Sequence, residues 1–272
     1  MITAISQRDC RFRPARRRQK TTGTAVACII CAVLSLRAAD TDWPIFRGSA
    51  RRTGAVGHVI GFPGDQPLWK TRLGGEINSS PVVAGGYVYI GCNDSSMYAL
   101  NLADGTIRWK ASTRGWIDAT ALVTGDTVVV GSHDGKIYLF KAQTGDTIAT
   151  LAAGRQLSSA VVSDSGDLLV GMGGPLNRFS VFPRFDPAQE WSGTAYFAQP
   201  CYSSPATVGN IAVIGANDGV LRGIDLLYRR VLWELRTDGQ IHMSTPAIHN
   251  NVVYFAPGDL DRAVYAVCLL YT

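Results

Sequence analysis

The strongest constraint on this chain is a block that returns about every 40 residues and consists only of short strand-like pieces. Its clearest copy runs Ser79-Ser80-Pro81-Val82-Val83, Tyr87-Val88-Tyr89-Ile90-Gly91, Met97-Tyr98-Ala99-Leu100, then Asp104-Gly105 and Trp109. Aligned on the Gly that closes the second piece, the copies fall at Gly91, Gly131, Gly171 and Gly215, with Ala256 in the fifth place. The steps are 40, 40, 44 and 41 residues. The pieces are β-branched or aromatic and bounded by Gly, Asp and Asn, and no stretch after residue 40 sustains a helical apolar period. Such a unit cannot bury its faces alone and stacks on its neighbours. The spacing predicts an all-β fold, a β-propeller of four-stranded antiparallel blades with about five repeats visible.

The punctuation agrees. Asp104-Gly105, Asp134-Gly135, Gly145-Asp146 and Asp218-Gly219 separate apolar runs, where a tight hairpin needs positive φ. Copy three is worn: between Phe179 and Trp191 it contains Pro183 and Pro187, which suit an edge strand or a loop. Trp109, Trp191 and Trp233 take the outermost strand of their copies, with Ala149 in that place in copy two. A Trp at a fixed point per blade reads as a packing anchor between blades.

These repeats resemble the pyrroloquinoline-quinone (PQQ) repeat family, whose blades run roughly Ser-Pro-Val-Val, Val-Tyr-x-Gly, Asp-Gly, Tyr-Ala-Leu-Asp, Thr-Gly, Trp. The stretch Asp42-Trp43-Pro44-Ile45-Phe46-Arg47-Gly48, ending in Arg52-Thr53-Gly54, is similar to the lead-in of its secreted members. The resemblance covers residues 42–272 and implies a propeller; it does not by itself fix a function. Catalytic members, the quinoprotein dehydrogenases, usually build eight blades around PQQ and Ca²⁺ and often carry an adjacent Cys-Cys pair, which this sequence lacks. Other members are non-catalytic, among them the propeller lipoproteins of outer-membrane β-barrel assembly.

The formal charge of +5 hints at an acidic partner, but its location removes the hint. Residues 1–39 hold eight basic side chains and one acid, leaving 18 basic against 20 acidic in the rest. A nucleic-acid footprint is not supported. The basic stretch leads instead into an apolar run, Thr21 to Leu36, and then Arg37-Ala38-Ala39. That order describes a secretory signal; the run is shorter than the roughly 20 apolar residues of a spanning helix. An uncleaved membrane anchor through this segment is the second reading. The chain therefore divides into a presequence (1–39), a lead-in segment (40–66) and the propeller domain (67–272). Of its cysteines only Cys92, Cys201 and Cys268 follow the presequence, an odd number that makes no disulfide framework.

The residues do not assemble a reactive set. Ser79, Ser80, Ser158, Ser159, Ser203 and Ser204 recur because every copy has them, and none sits in a Gly-x-Ser-x-Gly elbow. The remaining polar candidates are the turns after the second strand: Asn93-Asp94, His133-Asp134 and Asn217-Asp218. Equivalent turns line one face around a propeller axis, so Asn93, Asp94, His133, Asp134, Asn217 and Asp218 are the candidates for an axial binding surface. Asn and Asp also cap tight turns through their own backbone, which makes a structural role the simpler one. His58, His242 and His249 share no metal-ligand spacing with His133.

Pro67-Leu68-Trp69-Lys70-Thr71 reads as a fourth strand with no preceding three, while Ser244 to Thr272 supplies three strands. Joining the two ends completes a fifth blade; the other reading makes the chain part of a seven- or eight-bladed ring. The function expected is an extracytoplasmic, periplasmic or secreted, non-catalytic propeller that binds a protein or cell-envelope component, with no cofactor and no nucleic acid. The alternative is a fragment or divergent form of a PQQ-dependent quinoprotein dehydrogenase oxidising alcohols or sugars, with PQQ and calcium. A sensor domain parted from a partner domain is the third.

Overall fold

The structure, a computed structural model, describes residues 42–54, 67–154, 158–174, 177–191, 197–242, 244–258 and 260–270. The presequence and His58 lie outside the described residues.

Each repeat folds into one antiparallel sheet whose strands pair strictly in chain order. Blade 1 holds β1 (Val82–Ala84), β2 (Tyr87–Cys92), β3 (Ser96–Asn101) and β4 (Ile107–Ser112). Blade 2 holds β5 (Leu122–Thr124), β6 (Thr127–Ser132), β7 (Lys136–Lys141) and β8 (Thr147–Ala152). In blade 3 the strands are β9 (Val161–Val162), β10 (Leu168–Met172) and β11 (Arg178–Phe182). Blade 4 has β12 (Ala206–Val208), β13 (Ile211–Gly215), β14 (Val220–Asp225) and β15 (Arg230–Arg236), and blade 5 has β16 (Ala247–His249), β17 (Val252–Phe255) and β18 (Tyr265–Cys268). The architecture is the all-β propeller that the repeat predicts.

The core lies between sheets. In β2 and β6 every residue after the first is buried, because neighbouring blades cover both faces, whereas β4 and β8 are mostly exposed. Tyr89, Trp109, Val128 and Phe140 fill the space between blades 1 and 2, and Leu221, Trp233, Ile241 and Val253 that between blades 4 and 5. The Gly that ends the second strand is what lets blades approach. A Cβ on Gly91 would lie 2.3 Å from Ile117, and one on Gly215 would lie 2.4 Å from Ile241, in each case the linker leading to the next blade.

Trp109 and Trp233 act across blades as the sequence predicts, while Trp191 bridges Val181 of its own blade. Trp109 Nε1 donates to Ala142 O at 2.8 Å and Trp233 Nε1 to Leu269 O at 2.9 Å. Cross-strand partners explain the copy without a Trp. Trp109 stands opposite Ala99 and Trp233 opposite Gly223, while Ala149 stands opposite Leu139. Bulk has changed sides within the pair, so the filled volume is kept.

Among the described residues three of the five sheets have four strands. In blade 3 the proline-bearing stretch forms two single 3-10 turns, Pro183–Phe185 and Pro187–Gln189, and touches β11 through one bridge, Val181 to Trp191. Proline cannot donate to a ladder, so the fourth strand fails there. Blade 5 stops at three strands among the described residues. Residues 67–71 add no strand to that sheet among the described residues. They make with blade 1 the contact that Trp109 makes with blade 2: Trp69 Nε1 donates to Leu102 O at 2.9 Å and Thr71 Oγ1 to Gly105 O at 2.6 Å.

The lead-in residues 42–54 form a strap across the innermost strands. Trp43 bridges Val83 of β1, Pro44 O accepts from Val123 N of β5, Ala50 O from Thr207 N of β12, and Arg51 O from Ile248 N of β16. Arg52 supplies the tie to blade 3. Its side chain is fully buried and donates to Pro205 O, Phe46 O, Ser159 O and Ala160 O at 2.7–3.2 Å. Burial, with Arg47 close by, lowers its pKa to about 9, which leaves it cationic at neutral pH. Its charge is spread over carbonyl oxygens, the form in which a buried guanidinium is satisfied without a carboxylate.

Candidate functional site: an axial pocket

The segments just ahead of the first strands of all five blades line a cavity of about 620 Å³, within the range of small-molecule pockets. The Ser/Thr just ahead of each first strand links the blades there. Ser80 N donates to Thr120 Oγ1 at 3.1 Å, Thr120 N to Ser159 Oγ at 3.0 Å, Ser159 N to Ser204 Oγ at 3.1 Å, and Ser204 N to Thr245 Oγ1 at 3.4 Å. The repeat thus writes a relay of one hydrogen bond per blade boundary. Each hydroxyl accepts from the preceding blade and keeps its own proton. All of these hydroxyl residues line the cavity.

Phe46 of the strap also lines it, held between the Arg47 and Arg52 guanidiniums at 5.7 and 5.6 Å from its ring centroid. One wall is a polar chain: Asn78 Nδ2 donates to Asp118 Oδ1 at 3.3 Å, and Asp118 Oδ2 meets His133 Nε2 at 2.8 Å. On another wall Tyr202 and His242 pack edge to face, 5.0 Å between centroids, and His242 Nδ1 lies 3.2 Å from Asn217 Oδ1.

Of the six turn residues singled out from the sequence, His133 lines this cavity and Asn217 touches it through His242. The three aspartates turn away, towards the third strand of their own blade and the linker from the blade before. Asp134 accepts from Tyr138 Oη at 2.6 Å, Lys136 N at 3.0 Å and Arg114 N at 3.1 Å. Asp218 takes Arg222 on both oxygens, at 3.2 and 2.8 Å, and Ala198 N at 3.3 Å. Asp94 accepts from Tyr98 Oη and from Lys110 Nζ at 2.9 Å. Burial works to raise the Asp94 pKa, but the bonds from Tyr98 and Lys110 prevail and hold it below the ordinary value. Asn93 N donates to Glu76 O at 2.9 Å, tying the turn to the preceding linker. The simpler structural reading therefore describes these aspartates.

Asn78, Asp118, Tyr202 and His242 are residues that sequence reasoning missed. Three of them occupy the position directly before the Ser/Thr pair, where the copies differ in chemistry while their neighbours repeat. That contrast was the available signal. Among the described residues, no group of three or more His, Cys, Asp or Glu is placed to hold a metal. No helix among them is long and apolar enough to cross a membrane.

Residues 53–173 match the family model described as outer membrane protein assembly factor BamB. The solved BamB structure from Moraxella catarrhalis is similar with a TM-score of 0.63 and 20% identity, covering 75% of this chain and 62% of that one. The chain is a propeller similar to BamB, with PQQ-like repeats matched over residues 53–173. The computationally designed Ika8 protein is also similar, with a TM-score of 0.59 and 16% identity over 69% of this chain and 57% of that one. This chain thus spans less than two thirds of the length of either structure. No curated protein matches it. At such identities the likeness concerns the fold, and the site must be argued from its own residues.

Proposed function

We propose that the chain is an extracytoplasmic, non-catalytic propeller that binds a protein component of the cell envelope, in the manner of an outer-membrane assembly factor. One observation carries this: the polar side chains that the repeat multiplies are spent on joining blades. The Ser/Thr relay and the turn aspartates bond amides and side chains of the same or the preceding blade. They build a scaffold and do not converge on a reacting centre. The match of residues 53–173 to the BamB family model points the same way.

A resident PQQ with calcium does not fit the axis. Among the described residues Asp118 is the one carboxylate lining the cavity, and no group of three or more His, Cys, Asp or Glu gathers there. Ca²⁺ takes roughly six to eight oxygen ligands, several of them from carboxylates and carbonyls. We assign no cofactor and no nucleic-acid partner.

The test is photocrosslinking in cells from two exposed positions, Tyr254 on blade 5 and Arg108 on blade 1, with the chain expressed from its own start. An adduct with a protein of outer-membrane assembly is expected from one of them. No envelope adduct from either position overturns the reading. Dye reduction by the purified chain after addition of PQQ and Ca²⁺ would overturn the non-catalytic part separately.

A further inference from the structure

We infer that the axial pocket is a binding site for a neutral, polyhydroxylated ligand, a saccharide ring, held without chemical change. This goes beyond partner binding and does not depend on it.

The first ground is unspent hydrogen-bonding capacity. Thr120, Ser159, Ser204 and Thr245 are each more than nine-tenths buried, line the cavity, and use their oxygens to accept an amide of the preceding blade. A hydroxyl that accepts still has one proton to donate, and leaving it unmet in a buried site costs free energy. Four such protons around one cavity ask for a ligand with several acceptors. A ring bearing several hydroxyls can meet them.

The second ground is the wall opposite in character. Asp118 and Asn78 offer acceptors and an amide donor side by side, and His133 fixes the carboxylate. Ligand hydroxyls can donate to this wall while accepting from the Ser/Thr row, which neither a bare anion nor a cation can do.

The third ground is aromatic. Trp116 is 58% exposed, although its ring lies 6.2 Å from that of His133 beside the pocket. Tyr202 and Phe46 add apolar surface inside. A pyranose presents C–H faces as well as hydroxyls, and exposed aromatic rings next to polar groups suit such a two-sided ligand.

The test uses the full chain, titrated with glucose, N-acetylglucosamine, maltose and chitobiose, and separately with inorganic phosphate. Calorimetry and tryptophan fluorescence are followed. Saturable saccharide binding is expected, with a fluorescence change that disappears in Trp116→Ala and an affinity about tenfold weaker in Asp118→Ala, the loss of a hydrogen bond to a charged group. Trp116 is exposed, so its variant folds and provides a reading independent of Asp118. Phosphate binding in place of saccharide binding overturns the inference. So does the absence of binding by all four sugars, or saccharide binding that neither substitution weakens.

Discussion

The indole N–H of Trp109 and the carbonyl of Ala142, 33 residues apart, are joined at 2.8 Å across the boundary between blades 1 and 2. Tyr89 Oη donates to the same oxygen at 3.2 Å, and the Trp109 ring lies over Gly145, where a Cβ would come within 2.7 Å of it. Blade cohesion is therefore local, specific and open to dissection one residue at a time.

Trp109→Ala is expected to destabilise the chain by about 3–5 kcal/mol, the range for removing a large buried aromatic. Gly145→Ala carries two costs: contact with Trp109 and a backbone φ of +76°. Overpacking adds about 1–3 kcal/mol and the left-handed backbone about 1–2 kcal/mol. In a Trp109→Ala background only the backbone cost remains. Urea denaturation of the two single variants and the double variant measures this coupling, and strict additivity would contradict the packing account.

Ser159→Ala removes the acceptor of Thr120 N while leaving Ser159 N bonded to Ser204. One buried amide is left unpaired, so a loss of about 1–3 kcal/mol is expected. Hydrogen exchange should show the Thr120 amide losing protection before amides in the strands of blade 4.

Arg52→Met keeps the length of the side chain but strands four carbonyl oxygens belonging to the strap and to blades 3 and 4. Removing one side of such a buried set costs about 3–5 kcal/mol. Arg52→Lys should recover little, since an ammonium has three donors and no planar fork. Thermal melting of both variants beside the parent checks this.

Alkaline pH should destabilise the fold through tyrosines. Burial, helped by Tyr87 and nearby acids, raises the Tyr89 pKa to about 12. Burial and the bond to Asp134 do the same for Tyr138, and the bond to Asp261, with burial, for Tyr265. Free tyrosine releases its proton near about 10. Between those values the unfolded chain gives up protons that the folded chain keeps. Stability is thus whole below pH of about 10 and falls as pH rises towards about 12. Urea midpoints across this window should decline, and less steeply in Tyr138→Phe.

What could be read in the sequence was whatever repeats. The five visible blades, the hairpin turns and the tryptophan anchors follow from residues recurring at fixed offsets, and the failed outer strand of copy three from the prolines that interrupt them. The site was hidden by the same logic. Asn78, Asp118 and Tyr202 occupy one repeat position with three different chemistries, so alignment of the copies averages them away. The turn aspartates stood out as candidates because they recur, and recurrence reflects their task of joining strand to linker. The Arg52 contacts, 107 and 108 residues away in blade 3 and 153 away at Pro205, have no local signature at all.

The strap also sets an order of events. Residues 42–54 leave the ribosome before any blade, yet Arg47 finds Thr245 O 198 residues later and Arg51 O waits for Ile248 N in β16. Each blade can form from contacts within about 40 residues, an arrangement that favours rapid local folding. The strap can dock fully only when the fifth blade exists, so it closes the longest loops in the molecule. Its burial is a record that synthesis has passed the fifth of these sheets, and a protease cutting near Arg47 would distinguish chains that have made that sheet from those that have not.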